Sequence, residues 1–337
     1  MTPSPSLAAA TLAAGLLGAL QAPVPPVADV VEHVAAPVSP AYWTPERMAR
    51  AIPIDLRSAV RQVEALTASV LPPSPRAGYT RPPEQRRRPG RVGSPGRVRQ
   101  AAAPAAMPPA TTSGSQWAAG GSVTRTTGRV FLTMNGVDFV CSASAVRGAS
   151  RDLVATAGHC VKDGTGGWAE NWTFVPGYRQ GRQPYGSYPA RRMFVAGPWS
   201  RGADDDYDVG MVAVTTSGGR HLADVVGAQE IGFDARRGLR TYGFGFPADP
   251  PYDGERLLYC AGTPHGDPQR QTGDQGLRCD LTAGASGGPW LSGFDPATGR
   301  GTLVSVSSFK YSNDHGTMYG PYFGPAVKDL FRTAERA

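Results

Sequence analysis

The residues with the most evident chemical potential are Gly284-Ala285-Ser286-Gly287-Gly288-Pro289. Glycine reaches φ > 0 and lets another group approach the main chain closely. Here the N–H groups of Gly284 and Ser286 can point at one spot beside a hydroxyl. A hydroxyl with two such donors is a nucleophile equipped to stabilise an oxyanion. Ser-Gly-Gly alone reads more readily as a glycine-rich surface turn; two upstream stretches reverse that reading. Thr156-Ala157-Gly158-His159-Cys160 follows the apolar run Leu153-Val154-Ala155, a buried strand ending in a turn that carries a histidine. A lone histidine is usually structural, but one at a strand end among small residues is placed for chemistry. In Asp206-Tyr207-Asp208-Val209-Gly210-Met211-Val212-Ala213-Val214 an acid opens an apolar strand. Acids are uncommon there unless paired. Asp204, Asp205 and Asp206 compete with Asp208 for the role of a buried acid. Asp208 is preferred because it adjoins the apolar run, whereas the other three read as a solvated turn.

The chain order is His159, Asp208, Ser286. That is the order of chymotrypsin-type enzymes, not of subtilisin or the α/β-hydrolases. Thr-Ala-Gly-His-Cys, Asp-Val-Gly-Met and Gly-Ala-Ser-Gly-Gly-Pro together resemble the secreted serine peptidases of the trypsin/chymotrypsin superfamily. The wider context is similar to actinobacterial enzymes near the V8-like, or glutamyl endopeptidase, branch. It includes Gly128-Arg129-Val130-Phe131, Val140-Cys141-Ser142-Ala143-Ser144, Phe174-Val175-Pro176-Gly177-Tyr178, Cys279-Asp280-Leu281-Thr282 and Pro289-Trp290. The resemblance runs over about residues 117–337. It implies an endopeptidase acting through an acyl-enzyme, with Ser286 as nucleophile, His159 as base, Asp208 as its orienting acid, and the N–H groups of Gly284 and Ser286 as oxyanion hole. Ala285 departs from trypsin, where an Asp pairs with the new N-terminus after zymogen cleavage. Substrate preference is contested within the sequence. Asp280 sits at the offset from the serine where trypsin carries its specificity acid, but Cys279 beside it does not match. The edge expected to bind substrate backbone is Ser307-Ser308-Phe309-Lys310, where Ser308, Phe309 and Lys310 are candidate binding residues. Lys310 would narrow the pocket or attract an acidic side chain. His315 is a further pocket candidate; His33, His221 and His265 have no partner pattern.

From Trp117 onward, short β-rich segments alternate with glycine-rich turns: 122–134, 137–146, 152–157, 171–177, 189–196, 208–214, 238–244, 256–261, 289–293 and 301–310. Many short strands with turn signals mean an all-β barrel or sandwich. The resemblance implies a chymotrypsin-like double β-barrel of six strands each, His159 and Asp208 on the first and Ser286 on the second. Residues 325–332 read as an amphipathic C-terminal helix with Val327, Leu330, Phe331 and Ala334 on its apolar stripe. All four cysteines fall in this half, at 141, 160, 260 and 279. Their spacing suits no zinc motif. Of three possible pairings the local one, Cys141–Cys160 and Cys260–Cys279, is expected, which suits an oxidising compartment.

The N-terminal third has a different texture. Residues 7–20 are apolar and uncharged, too short to span a bilayer comfortably and fit for a signal peptide over 1–22, although no basic residue precedes them. Residues 1–116 carry 19 of the 32 prolines but 3 of the 29 aromatic residues, too few for a core of their own. They also hold 12 Arg against 6 acids, whereas the remainder is nearly balanced, so +6 of the net +7 sits outside the enzyme-like part. Residues 23–115 therefore read as a propeptide and linker, poorly ordered and partly helical at 44–70, where Thr44 caps and Pro45 opens a helix. The peptidase domain is assigned to 116–337. Residues 76–99 hold eight Arg with prolines and glycines and read as a solvated linker. No aromatic interleaving marks a nucleic-acid site. The expected partner is a protein or peptide substrate, with no cofactor, no metal, no nucleic acid, no stable membrane association, and a secreted monomer. The competing readings are an inactive secreted binding module on the same fold and, less favoured, a polyanion binder driven by 76–99.

Overall fold

A computed structural model describes residues 29–54 and 110–337. The proposed signal peptide and the Arg-rich stretch 76–99 lie outside these residues. Strands β1 (Val30–Val34), β2 (Ile52–Pro53) and β3 (Thr111–Gln116) precede the main body. The first half of that body holds β4 (Thr127–Met134), β5 (Val137–Val146), β6 (Leu153–Thr156), β7 (Glu170–Pro176), β8 (Tyr188–Ala196) and β9 (Gly210–Val214). β4 and β5 form a hairpin around Asn135-Gly136, both at positive φ, the turn whose twist matches the flanking strands. β4 pairs with β7, β7 with β8, β8 with β9, β9 with β6 and β6 with β5, so six strands close on themselves. Val130, Leu132, Val154, Trp172, Phe174, Tyr188, Val195, Val212 and Val214 fill the interior.

The second half holds β10 (Glu230–Ile231), β11 (Thr241–Gly245), β12 (Leu258–Gly262), β13 (His265–Gly266), β14 (Gln275–Arg278), β15 (Pro289–Asp295), β16 (Arg300–Val306) and β17 (Thr317–Gly320). A six-stranded sheet runs β10-β16-β15-β11-β12-β3, and a three-stranded ribbon runs β13-β14-β17. Between the halves one apolar cluster joins Leu153, Phe194, Met211 and Ala213 to Tyr242, Phe244, Leu291, Leu303 and Val306. The C-terminal helix Pro325–Ala334 buries Val327, Leu330 and Ala334 in that cluster, while Phe331 packs at its margin. Among the described residues no helix is long and apolar enough to cross a membrane.

Residues 29–54, assigned from composition to the poorly ordered stretch, are built onto the first barrel. β1 pairs with β8 over five residues. Helix α1 (Pro45–Arg50) has Thr44 Oγ1 accepting from the Arg47 N–H, and Met48 is buried. Beyond Arg50 the expected helical pattern gives way to extended chain, and Ile52–Pro53 pairs in parallel with Phe139–Val140. The expected second helix falls outside the described residues.

Candidate active site

β6 ends at Thr156 and the chain turns through a short 3-10 segment, Gly158–Cys160, which carries His159. Cys160 is bonded to Cys141 on β5, with Cα atoms 6.3 Å apart, which ties this turn to the barrel wall. Asp208 caps the 3-10 turn Asp205–Tyr207 just before β9. β6 and β9 pair side by side, Thr156 opposite Gly210, and so bring the two residues together. The His159 N–H donates to Asp208 Oδ1 at 2.7 Å, and His159 Nδ1 lies 2.7 Å from Oδ2. Ser308 Oγ donates to the same Oδ2 at 2.5 Å. Burial alone would raise the Asp208 pKa, but the His159 charge and these three hydrogen bonds hold its carboxyl below the usual range. Burial would lower the His159 pKa, but the Asp208 charge and hydrogen bond, then Asp205 and Asp163, raise it.

Ser286 comes from the loop between β14 and β15. Gly284 has φ +93°, and a Cβ there would lie 2.9 Å from Phe246 O and Ala248 Cβ. Gly287 has φ +78°, and a Cβ there would lie 2.7 Å from Ala157 N and 2.4 Å from Ser142 O. The serine loop is thus pressed against the strand end that leads into His159. The Ser142 N–H donates to Ser286 O at 2.7 Å, and Ser142 Oγ donates to Gly284 O at 2.8 Å. Ser286 Oγ and His159 Nε2 are buried, make no hydrogen bond with each other and have no other partner. Among the described residues neither the Gly284 N–H nor the Ser286 N–H has an acceptor. Such an arrangement offers a hydroxyl, an imidazole paired with a carboxylate and two backbone N–H groups without acceptors. Catalytic hydrogen bonds are often long in the free enzyme and tighten with substrate.

The substrate-edge candidates divide. Ser308 uses its hydroxyl on Asp208 instead of leaving it to substrate. Phe309 stacks on Tyr319 with ring centres 5.3 Å apart. Lys310 is buried, its Nζ donating to Cys279 O at 2.8 Å and His315 O at 2.6 Å. Burial depresses its pKa to about 8, against the opposing charges of Asp280 and Asp314. Asp280 Oδ1 accepts from the Gly114 N–H and Tyr252 OH, both at 2.7 Å. The side chain of His315 is exposed. Cys260 and Cys279 are bonded, Cα atoms 5.5 Å apart.

Two acids beside Asp208 escaped the sequence reading. Asp205, read as solvated, is half-buried, and burial and then the Asp208 charge raise its pKa to about 6. Asp274, just before β14, is 1% exposed, and neither carboxylate oxygen has a partner. Burial, then the charges of Asp206, Asp205 and Asp208, raise its pKa to about 9. Nothing local in Thr272-Gly273-Asp274 announces this; the chain returns here beside the acids before β9, where the Gly273 N–H donates to Asp206 Oδ1.

No family model matches the chain. It is similar to the protease Anisep of Arthrobacter nicotinovorans, 39% identical over 63% of this chain and 96% of that one, with a TM-score of 0.61. It is likewise similar to the thermostable serine protease AL20 of an extremophilic microorganism, 35% identical over 64% of this chain and 99% of that one, TM-score 0.61. An extracellular metalloprotease of Bacillus subtilis strain 168 is 31% identical over 101 residues, so the match spans 30% of this chain and 32% of that relative. Among the described residues, three donors of the types that bind metals meet within reach of one another only at Cys141, His159 and Cys160. The two sulfurs there are joined to each other and leave no thiolate for an ion.

Proposed function

Since this chain belongs to the chymotrypsin-like serine proteases, we propose that it is a secreted endopeptidase that works through His159, Asp208 and Ser286. Ser286 Oγ attacks the peptide carbonyl while His159 Nε2 takes its proton. The oxyanion that forms is held by the N–H groups of Gly284 and Ser286. His159 then gives the proton to the leaving amine, and an acyl-enzyme remains. Water, deprotonated by the same nitrogen, releases the acid and restores the hydroxyl. Asp208 keeps the imidazole in the tautomer that leaves Nε2 free to accept. The observation that carries this reading is the buried His159–Asp208 pair together with a buried serine hydroxyl, His159 Nε2 and Ser286 Oγ both lacking a partner. The two disulfides and the extracellular relative support secretion. The proposed division is a leader over 1–22, a prosegment and linker over 23–115 of which 29–54 and β3 pair with the body, and the peptidase over 116–337.

Lys310 is the reason to propose acidic side chains at the residue preceding the cut. Two of its three ammonium protons are spent on carbonyls, which leaves one donor for a substrate carboxylate. Asp280 is already engaged by Gly114 and Tyr252, so it is poorly placed to receive a basic side chain.

The absent Ser286–His159 hydrogen bond favours the alternative, an inactive binding module. A fluorophosphonate probe separates the two. Labelling of Ser286, abolished in Ser286→Ala and His159→Ala, supports the enzyme. No labelling of disulfide-intact protein supports the binder.

A further inference from the structure

We propose that residues 29–54 are a permanent strap on the first barrel, and that they stay bound when the chain is cut in the Arg-rich stretch that follows. The need for a strap lies in β8. On one edge β8 pairs with β9 from Ala190 to Val195. On the other edge β7 reaches only Tyr188 and Pro189. From Arg192 to Ala196 that second edge is taken by β1, residue for residue, Val34 opposite Arg192 and Val30 opposite Ala196. Without β1 a five-residue run of backbone donors and acceptors would stand open in the barrel wall. Val31 and Val30 pack on the two apolar clusters to either side of that wall.

The rest of the strap is anchored chiefly by burial, with one partly buried ion pair. His33 stacks on Trp168 with ring centres 5.0 Å apart. Trp43 donates its indole N–H to Asn171 O at 2.7 Å and packs against Phe131. Met48 and Ile54 are 4% and 5% exposed. Ile54 N–H continues the strand pairing onto Val140 O. Arg201 with Asp29 and Arg192 with Glu32 are surface pairs that contribute little. Arg47, by contrast, is clasped by Asp138 at 2.5 Å and lies over the Tyr42 ring.

A prosegment that inhibits must lie in the cleft. No hydrogen bond, ion pair or ring contact of residues 29–54 reaches His159, Asp208, Ser286 or 307–310. This segment therefore has no need to leave for the cleft to open, and the barrel has reason to keep it. Residues 55–109 contain ten arginines at which the connection can be cut.

The test uses the full chain with Ser286→Ala, so it does not depend on whether the serine is reactive. An arginine-specific endoprotease is applied briefly, and the products are weighed intact. The first cuts are expected between Arg57 and Arg99, with Arg47 protected. The nicked protein should elute from native size-exclusion as one species containing both pieces, and the N-terminal piece should leave only in denaturant. Cleavage at Arg47 as fast as in the linker, or elution of the N-terminal piece alone in native buffer, overturns the proposal whatever becomes of the remainder.

Discussion

Asp208 collects three donors in a site with almost no solvent: the backbone and ring of His159 and the hydroxyl of Ser308. Asp208→Asn should keep the fold but present the wrong imidazole tautomer, lowering kcat by about 10,000-fold with smaller change in KM. The raised pKa of His159 sets the acid limb of the rate profile. The base must be neutral, so kcat/KM should rise with pH through a midpoint above that of a free imidazole. Lys310 adds a second limb specific to acidic substrates. Its ammonium loses charge above about pH 8. Preference for Glu over Gln before the cut should therefore shrink between pH 7 and 9, and Lys310→Gln should reduce it by roughly 10- to 100-fold at pH 7, the worth of one charge-assisted hydrogen bond. A preference indifferent to both changes would remove Lys310 from substrate selection. Asp274 predicts a stability effect of opposite origin. Folded, it holds a proton up to about pH 9; unfolded, only to about 3.9. Its contribution is full below the unfolded value and falls as pH rises through the folded one. Asp274→Asn should thus flatten the loss of stability between pH 5 and 9, by up to about 1.4 kcal/mol per pH unit, read from denaturant midpoints. The pairing of His159 with Asp208 and the close-packed glycine loop around Ser286 were legible because each sits in a short, chemically odd stretch. The environments of Asp205 and Asp274 were not, because the two acids meet only where segments some 70 residues apart in the chain come together.

At the scale of elements, loops are held to strands by few and specific ties. Gly287 cannot accept a side chain, since its φ is +78° and Ser142 O occupies the space. Gly287→Ala should destabilise by about 1–3 kcal/mol and abolish probe labelling of Ser286 together, by thermal melting and mass spectrometry. The Cys141–Cys160 bond closes a 19-residue separation and fixes the His159 turn. Replacing both cysteines by alanine should cost about 3 kcal/mol in unfolding experiments. The strands from β4 onward could largely be read from alternation and turn residues, and Thr44-Pro45 marked the start of α1. β1 could not. Val-Val-Glu-His-Val lies among prolines and carries no hydrophobic pattern strong enough to stand alone. Its conformation is imposed by a partner edge some 160 residues later, information that no local window contains.

For the molecule as a whole, the decisive departure from trypsin is Ala285, fully buried and apolar where an acid would receive a new N-terminus. Activity should then be insensitive to the exact N-terminal residue: one extra residue at the processed end should change kcat/KM by less than about threefold. A loss of several hundredfold would mean that an N-terminal ion pair forms by another route. Double-barrel architecture was readable because the triad order is tied to it, but the relation between the barrels was not. They share one apolar cluster, and the C-terminal helix, though it follows the second barrel, packs on β8 and β9 of the first. Arg191 of β8 also donates to the Ala337 carbonyl. The consequence is calorimetric. Each lobe has a core of its own, but the shared cluster and the helix that seals it couple them, so heating should give a single endotherm whose van't Hoff and calorimetric enthalpies agree.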